Sequence, residues 1–424
     1  MSSHLYDPVD HDALRAAYLE VADPPCGPDP VLEGIMEGFP PPADKRVGRH
    51  NWLVYPYSTW AFRNVSKLFP TEAIRREGAA PAALRHTPWP LEDLAFDSVC
   101  GLRVTLDMHL RASQTCGLLV IRNGAVVFER TYNGLQVGDR HAWFSVSQVL
   151  VGLIVEELIY RGALSHDSQV AQLIPDLAGT AYANASVGHL LDMAVGVDYR
   201  EDYTDPTSHA SHYTYASGLI RPADGQVCAQ SLHSYLLSLR QNRAHGGFFQ
   251  YVTANSEVLG WVAEVVTGLA FPRLVQRLWR SLGCEDDGLY ITDGWGRGIT
   301  GAGVCSTLAD LGRVGLLLAN KGRLDNRQVL PAKLFERILG SAEPAYLRDN
   351  CDYSHWLPGG AYKSQFYVLD NRALMGSGIH GQYLYADTRT QTVIVKFSAS
   401  REAAGLLDID TVRLLRLIAD LQVA

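Results

Sequence analysis

The chain has 424 residues, 47% hydrophobic and 19% charged, with a formal net charge of −8. That composition suits a large buried core. The acidic balance and lack of a basic cluster argue against nucleic acid as a partner, and no run of about 18 apolar residues implies a membrane span. Seven cysteines (26, 100, 116, 228, 284, 305 and 351) are odd in number and form no Cys-x-x-Cys pair, so neither zinc nor a disulfide framework is supported. Met1 to Pro8 lack the charged and apolar regions of a signal peptide, so the expected location is the cytoplasm. No His-Glu-x-x-His, P-loop or dinucleotide fingerprint is present, and no metal or cofactor is expected.

In chain order, residues 1–95 read as an irregular arm wrapped on the body. Asp23-Pro24-Pro25, Gly38-Phe39-Pro40-Pro41-Pro42, Ala80-Pro81 and Pro88-Trp89-Pro90 interrupt every candidate element. Trp52, Tyr55, Tyr57, Trp60 and Phe62 supply an aromatic anchor and argue against a disordered tail. Leu118 to Glu129 predicts two strands joined by Asn123-Gly124, a strong hairpin signal. A helix follows from Ser145 to about Tyr160, with Val146, Val149, Leu150, Leu153, Ile154 and Leu158 at helical spacing and Arg161-Gly162 as its stop.

From 163 to 290 the pattern is mostly helical, at Val187 to Met193, Ser231 to Leu239, Glu257 to Thr267 and Phe271 to Leu282. Tyr199 to Pro206 is a polar, aromatic, turn-rich loop of the kind that reaches into a site. Beyond 290 come a helix (Thr307 to Leu318), strands at Ala373 to Met375, Gln382 to Ala386 and Thr392 to Ser398, and a last helix from Asp410 to Leu421. Strands from both chain ends flank a helical middle. The expected class is α/β (α+β): an antiparallel sheet flanked by helices, with an inserted helical lobe. Its divisions are 1–95 (arm), 96–162 with 291–424 (sheet domain) and 163–290 (helical domain).

The stretch with the most chemistry is His141-Ala-Trp-Phe-Ser145-Val-Ser-Gln148, an aromatic lead-in to a serine at a helix start. Unpaired backbone N–H groups and the helix dipole favour developing negative charge there. The same position also suits a serine that only caps the helix.

Five ordered blocks decide between these. They are Phe144-Ser-Val-Ser-Gln148 with Val151-Gly152; Leu190-Leu-Asp-Met193, then Glu201-Asp-Tyr203 and Asp205-Pro206; Phe249-Gln-Tyr251-Val-Thr-Ala-Asn255 with Val258-Leu-Gly-Trp261; Gly303-Val-Cys-Ser306 with Asp310-Leu311; and Gly378-Ile-His-Gly-Gln382 with Val393-Ile-Val-Lys396. In this order they resemble the penicillin-recognising serine hydrolases, the fold of class C β-lactamases and DD-peptidases. Within that family they are most similar to the 6-aminohexanoate-dimer hydrolases and their esterase-like relatives. The resemblance runs from about Asn51 to Ser398 and implies roles by position. Ser145 is the nucleophile of an acyl-enzyme, Tyr251 passes a proton to the leaving group, and Tyr203 stands over the substrate amide. The Gly378-Ile379-His380-Gly381 segment replaces the Lys-Thr-Gly of penicillin binders, which disfavours penicillin hydrolysis. Its Ile379 N–H joins that of Ser145 in an oxyanion hole, while Phe144, Asp202, His380 and Gly381 are expected at the substrate. His380 is expected to be a buried histidine rather than a general base.

One departure matters. The family pattern is Ser-x-x-Lys, and Gln148 stands where the lysine takes the serine proton. A carboxamide can hydrogen-bond but has no useful basicity. None of the six lysines (45, 67, 321, 333, 363 and 396) follows a serine by three. The usual asparagine of the Asn-Gly-Gly-Val block is replaced too, by Gly301 or a neighbour. Three accounts stay open: an introduced Lys→Gln change that traps a complex, different chemistry with Tyr251 or the substrate's own amine as base, or lost catalysis with a retained pocket. The expectation is a serine hydrolase or acyltransferase for a small-molecule amide or ester. The alternative is an inactive small-molecule binding protein on the same scaffold. No membrane partner is expected, and a homodimer is the commonest oligomer for such a chain.

Overall fold

The structure, a computed structural model, describes residues 9–22, 32–77, 81, 83–223 and 225–422. Its centre is an eight-stranded sheet assembled from both sides of the helical middle. In spatial order the strands are Gly360–Lys363, Phe366–Leu369, Ala373–Gly378, Gln382–Asp387, Thr392–Ser398, Thr115–Arg122, Ala125–Thr131 and Arg85–His86. All neighbours are antiparallel except the last pair, where Arg85–His86 runs parallel to Ala125 and Val126. The hairpin forms as its sequence predicts, with Asn123 and Gly124 at φ of 50° and 74° in the turn. Thr115–Arg122 pairs with Thr392–Ser398, and this non-local ladder closes the sheet.

Helices cover both faces. Leu308–Ala319 packs on one face through glycines: a Cβ on Gly312 would meet the Leu119 side chain at 2.8 Å, and one on Gly315 would meet Val393 at 2.2 Å. On the other face lie Leu106–Ala112 and Leu407–Asp420. The helix Gln148–Tyr160 is buried without interruption from Gln148 to Glu156. An all-round apolar helix of this kind belongs inside. It packs against Thr253–Thr267 and against the sheet. Gly152 permits that approach, because a Cβ there would lie 2.1 Å from the Ser364 carbonyl oxygen.

The N-terminal region holds more regular structure than its prolines suggest. His11–Glu20 is a helix capped by Asp10, whose carboxylate accepts the Ala13 N–H at 2.9 Å, and it buries Leu14 and Tyr18. Thr71–Ile74 pairs with Gly288–Ile291 in a second sheet that continues through Val304–Ser306 to His141–Ala142. These strands have two to four residues, too few to show a period, and their partners are far away in sequence. Trp52 and Phe62 are buried in the core. Asp23-Pro24-Pro25, Cys26 and Ala80 lie outside the described residues. Among those described, no single helix is long and apolar enough to cross a membrane; Thr253–Thr267 and Phe271–Trp279 pass such a test only as a pair bent by 83°.

Candidate active site

Ser145 lies in a single 3₁₀ turn, Phe144–Ser147, that leads into the buried helix beginning at Gln148. The turn is bolted to the second sheet: Trp143 N–H donates to the Val304 carbonyl (2.9 Å), its indole to Ser306 Oγ (3.0 Å), and Val304 N–H to Ser147 Oγ (3.1 Å). Phe144, just before the nucleophile, sits at φ 49°, a left-handed conformation that costs a side-chain-bearing residue energy. Aromatic packing holds it there. Its ring stacks on Trp52 (5.6 Å between centroids, 23°), meets Phe62 edge-on (4.9 Å) and touches His380 (6.0 Å).

The end of strand Ala373–Gly378 comes up beside this turn. A Cβ on Gly378 would stand 2.5 Å from the Trp143 carbonyl oxygen and 3.1 Å from the Ser145 nitrogen. The next residue, Ile379, lines the same cavity as Ser145. Neither the Ser145 nor the Ile379 N–H has a backbone acceptor among the described residues. His380 and Gly381 follow at φ 61° and 82° in a tight turn. Gln382 pins that turn by donating to the Ile379, His380 and Ser398 carbonyls (3.1, 2.9 and 2.8 Å). His380 Nδ1 donates to the Ser400 carbonyl at 2.7 Å, and burial drives the ring down to about 4. It is a buried, neutral histidine.

Gln148 Nε2 donates to the Tyr251 phenol oxygen (2.8 Å) and to the Gly301 carbonyl (3.3 Å). Burial pushes the Tyr251 phenol above its ordinary value, the Glu201 charge pushes it further, and hydrogen bonds with Ser145, Gln148 and Thr253 pull it back. Ser145, Gln148 and Tyr251 therefore form one cluster, and Tyr203 joins it by donating its phenol proton to Glu201. Asp202 does not. Its carboxylate accepts from Thr204 N–H (2.8 Å), Thr204 Oγ1 (2.7 Å) and Asp205 N–H (3.2 Å), and so shapes the loop instead of facing the cavity.

Two carboxylates without a role in the sequence reading organise the site. Glu201 accepts from Thr253 N–H at 3.0 Å, from the Thr253 hydroxyl and from Tyr203. Burial raises its carboxyl, and these donors act against the shift. Glu257 accepts from the Tyr213 phenol (2.7 Å) and from the N–H groups of Gly301 (2.7 Å) and Thr300 (3.0 Å). Burial pushes it to about 7. Glu257 thus holds the N–H of Gly301, and Gln148 holds the carbonyl of the same residue. A glutamate inside a helical pattern ordinarily faces water, and only its place on the apolar face of Thr253–Thr267 could have marked it.

The cavity over Ser145 is small, about 30 Å³, with Trp52, Leu53, Phe144, Leu219, Ala302 and Ile379 as apolar walls and Tyr203, Tyr213, Thr214 and Thr253 as polar ones. No charged side chain is among its lining residues. Among the described residues, no three His, Cys, Asp or Glu side chains converge to hold a metal ion. The arrangement offers a serine hydroxyl, a phenol beside it, two candidate oxyanion donors and an amide where a base would be.

Known proteins share this chain's sequence pattern and fold. A family model described as Beta-lactamase covers residues 108–417. The 6-aminohexanoate-dimer hydrolase of Paenarthrobacter ureafaciens is 33% identical over 353 residues, which span 82% of this chain and 87% of that protein. A solved structure from Bacillus anthracis, provisionally assigned the same activity, superposes with a TM-score of 0.81 at 24% identity, covering 89% of this chain and 97% of the other. EstCE1, a hydrolase with promiscuous acyltransferase activity, superposes at 0.54 with 16% identity, covering 72% and 98%. At such identities the two structures speak for the fold alone. With a model matched over most of its length and a relative one-third identical across both chains, the chain belongs to the beta-lactamase family.

Proposed function

We propose that this chain is a serine hydrolase or acyltransferase acting on an amide or ester of a small molecule through a Ser145 acyl-enzyme. Ser145 Oγ adds to the acyl carbon, the N–H groups of Ser145 and Ile379 hold the oxyanion, and Tyr251 protonates the leaving group. Water or an acceptor nucleophile then releases the acyl group. The observation that carries this reading is Ser145 at the floor of a small apolar cavity, between the Ile379 turn and the Tyr251 phenol. Two fixed oxyanion donors contribute roughly 3–4 kcal/mol each to such a step. Loss of a general base removes about 10²–10⁴-fold, so an activated ester or thioester suits this site better than an unactivated amide. The cavity's apolar walls favour an uncharged acyl group, since a charged end would lose its hydration there without a partner.

A second reading is a binding protein that retains the pocket without turnover, and Gln148 is the observation that favours it. Incubation with a fluorophosphonate and an activated aryl ester, read by intact mass beside Ser145→Ala and Gln148→Lys, separates the two. Labelling of the wild-type chain that is lost in Ser145→Ala supports the enzyme. Labelling only in Gln148→Lys supports the binding protein. No labelling in any variant rejects a serine enzyme.

A further inference from the structure

We infer that the cavity over Ser145 is a subsite for a short, uncharged acyl group, acetyl or propionyl, and that Leu219 sets its length limit. The inference rests on the Ser145 acyl-enzyme reading above and names its substrate class. Ser145 and Ile379 both line the cavity, so it meets the acyl carbon and the oxyanion. Tyr251, which serves the leaving group, is not among its lining residues and pairs with Gln148 instead. The space therefore lies on the acyl side of the bond that breaks. Its volume is about 30 Å³. One water needs roughly 10–15 Å³ of such space, so about two or three non-hydrogen atoms fit. An acetyl group enters and a propionyl group fills it. A longer chain must push a wall aside.

The walls are held too firmly to yield. Trp52, Phe144, Tyr213, Thr214 and Leu219 form a buried inner wall, while Leu53 and Ile379 are a partly exposed rim. Trp52 is wedged among Phe62, Phe69 and Phe144, with ring centroids 5.8, 4.8 and 5.6 Å away. The polar wall residues commit their protons elsewhere. The Tyr213 phenol donates to Glu257 and Thr214 Oγ1 to the Ser211 carbonyl, both at 2.7 Å. The hydroxyls of Tyr203 and Thr253 both donate to Glu201. Glu201, Ser211 and Glu257 are not among the lining residues. These hydroxyls have no proton left for a polar acyl end, and burying such an end without a partner is costly.

Leu219 owes its place to a helix end. The helix His209–Ala216 stops at Gly218, whose φ is 76°. Gly218 N–H donates to the Tyr215 carbonyl and Leu219 N–H to the Thr214 carbonyl, both at 3.0 Å. This is the closure of a glycine C-cap, which folds the residue after the glycine back onto the helix. Leu219, 5% exposed, thereby joins Thr214 at the inner wall. Its side chain carries no polar group, so shortening it enlarges the cavity without leaving a donor or acceptor unpaired.

The test is the rate of acylation by p-nitrophenyl acetate, propionate, butyrate and hexanoate, read as release of p-nitrophenolate and divided by the hydroxide rate of each ester. Acetate and propionate lead, and each methylene beyond them costs about 10–200-fold. An open apolar groove would do the reverse, because every methylene it buries stabilises binding. L219A, with folding checked by thermal melting, moves the optimum towards butyrate and narrows the acetate-to-hexanoate ratio at least about tenfold; L219V narrows it less. Hexanoate acylating as fast as acetate in the wild-type chain overturns the size limit while leaving the Ser145 enzyme intact, and this arm needs no variant. A steep wild-type profile that persists unchanged in folded L219A and L219V overturns the role of Leu219. Acetyl thioesters of lengthening alkyl thiols should show no such break; a limit there instead puts the cavity on the leaving-group side and overturns the acyl subsite. Absence of acylation by every ester, with no fluorophosphonate labelling, overturns the Ser145 reading and the subsite with it.

Discussion

Glu257→Gln separates the charge of a buried carboxyl from its hydrogen bonds. Glu257 is 5% exposed, and burial moves its carboxyl from 4.5 to about 7. A folded pKa above the unfolded one means that folding favours the neutral acid. The associated stability is fully present below about pH 4.5 and is lost as pH rises through about 7. At about 1.4 kcal/mol per unit, the interval from 4.5 to about 7 corresponds to a loss of roughly 3 kcal/mol. Glutamine never ionises, so the variant does not suffer this loss. Its Oε1 can still accept from Tyr213 and Gly301, but its amide nitrogen then meets the Thr300 N–H, and a buried donor left unpaired costs about 1–3 kcal/mol. Near pH 4.5 the variant is therefore the less stable protein by about that amount. By pH 8 the gap closes by roughly 3 kcal/mol, to parity or a small advantage for glutamine. Urea denaturation of both proteins across pH 4.5 to 8, with m held constant, reads the difference directly. A gap that stays the same across that range refutes a raised carboxyl at this position.

Three further substitutions probe how the site is held. Gly378→Ala places a Cβ 2.5 Å from the Trp143 carbonyl oxygen, which moves Ile379 off the oxyanion and lowers aryl-ester acylation about 10²–10³-fold; an unchanged burst rate would remove Ile379 from that role. Gly152→Ala drives a Cβ to within 2.1 Å of the Ser364 carbonyl oxygen, and urea denaturation should register a loss of at least about 1–3 kcal/mol from overpacking. Trp52→Ala removes a ring stacked on Phe144. It costs about 3–5 kcal/mol and lets Phe144 leave its φ of 49°, so fluorophosphonate labelling of Ser145 and thermal stability fall together. Labelling that survives a large drop in stability would show that the strained turn holds itself.

What the sequence made legible followed from how local each signal was. Asn123-Gly124 specifies its hairpin within four residues, and the helix after Ser145 declares itself through a long apolar run. Thr392–Ser398 reads as a strand because seven successive residues are buried and mostly apolar. Arg85–His86 and Thr71–Ile74 carry no such signal, because their pairing is decided by residues far along the chain. The site divided in the same way. Ser145, Tyr203, Tyr251 and Ile379 stand at matched positions of an ordered pattern, and the structure gathers them round one cavity or one hydrogen-bonded cluster. The adjacent pair Glu201 and Asp202 could not be sorted by sequence. Both are acids on one irregular loop with no period to say which faces inward; the backbone turns Glu201 to Thr253 and leaves Asp202 with Thr204.

Burial pushes up two carboxyls in this site, and the uncharged amide of Gln148 does nothing to oppose it. An ammonium at position 148 would lie between the Tyr251 phenol, which feels the Glu201 charge, and the carbonyl of Gly301, the residue whose N–H Glu257 holds. Low-dielectric surroundings strengthen such a charge–charge attraction, so an ammonium would pull both carboxyls down and keep them ionised. The amide satisfies the same two acceptors without charge. Burial then dominates and raises both carboxyls, Glu257 to about 7. Gln148→Lys should accordingly move the loss of Glu257-linked stability to lower pH. Measured in that background, the difference between Glu257 and its glutamine variant should vary less between pH 4.5 and 8 than it does with Gln148 in place. A pH dependence as steep as before would mean that the amine itself is neutral in the folded chain, and that the carboxyls hold their protons whatever stands at position 148.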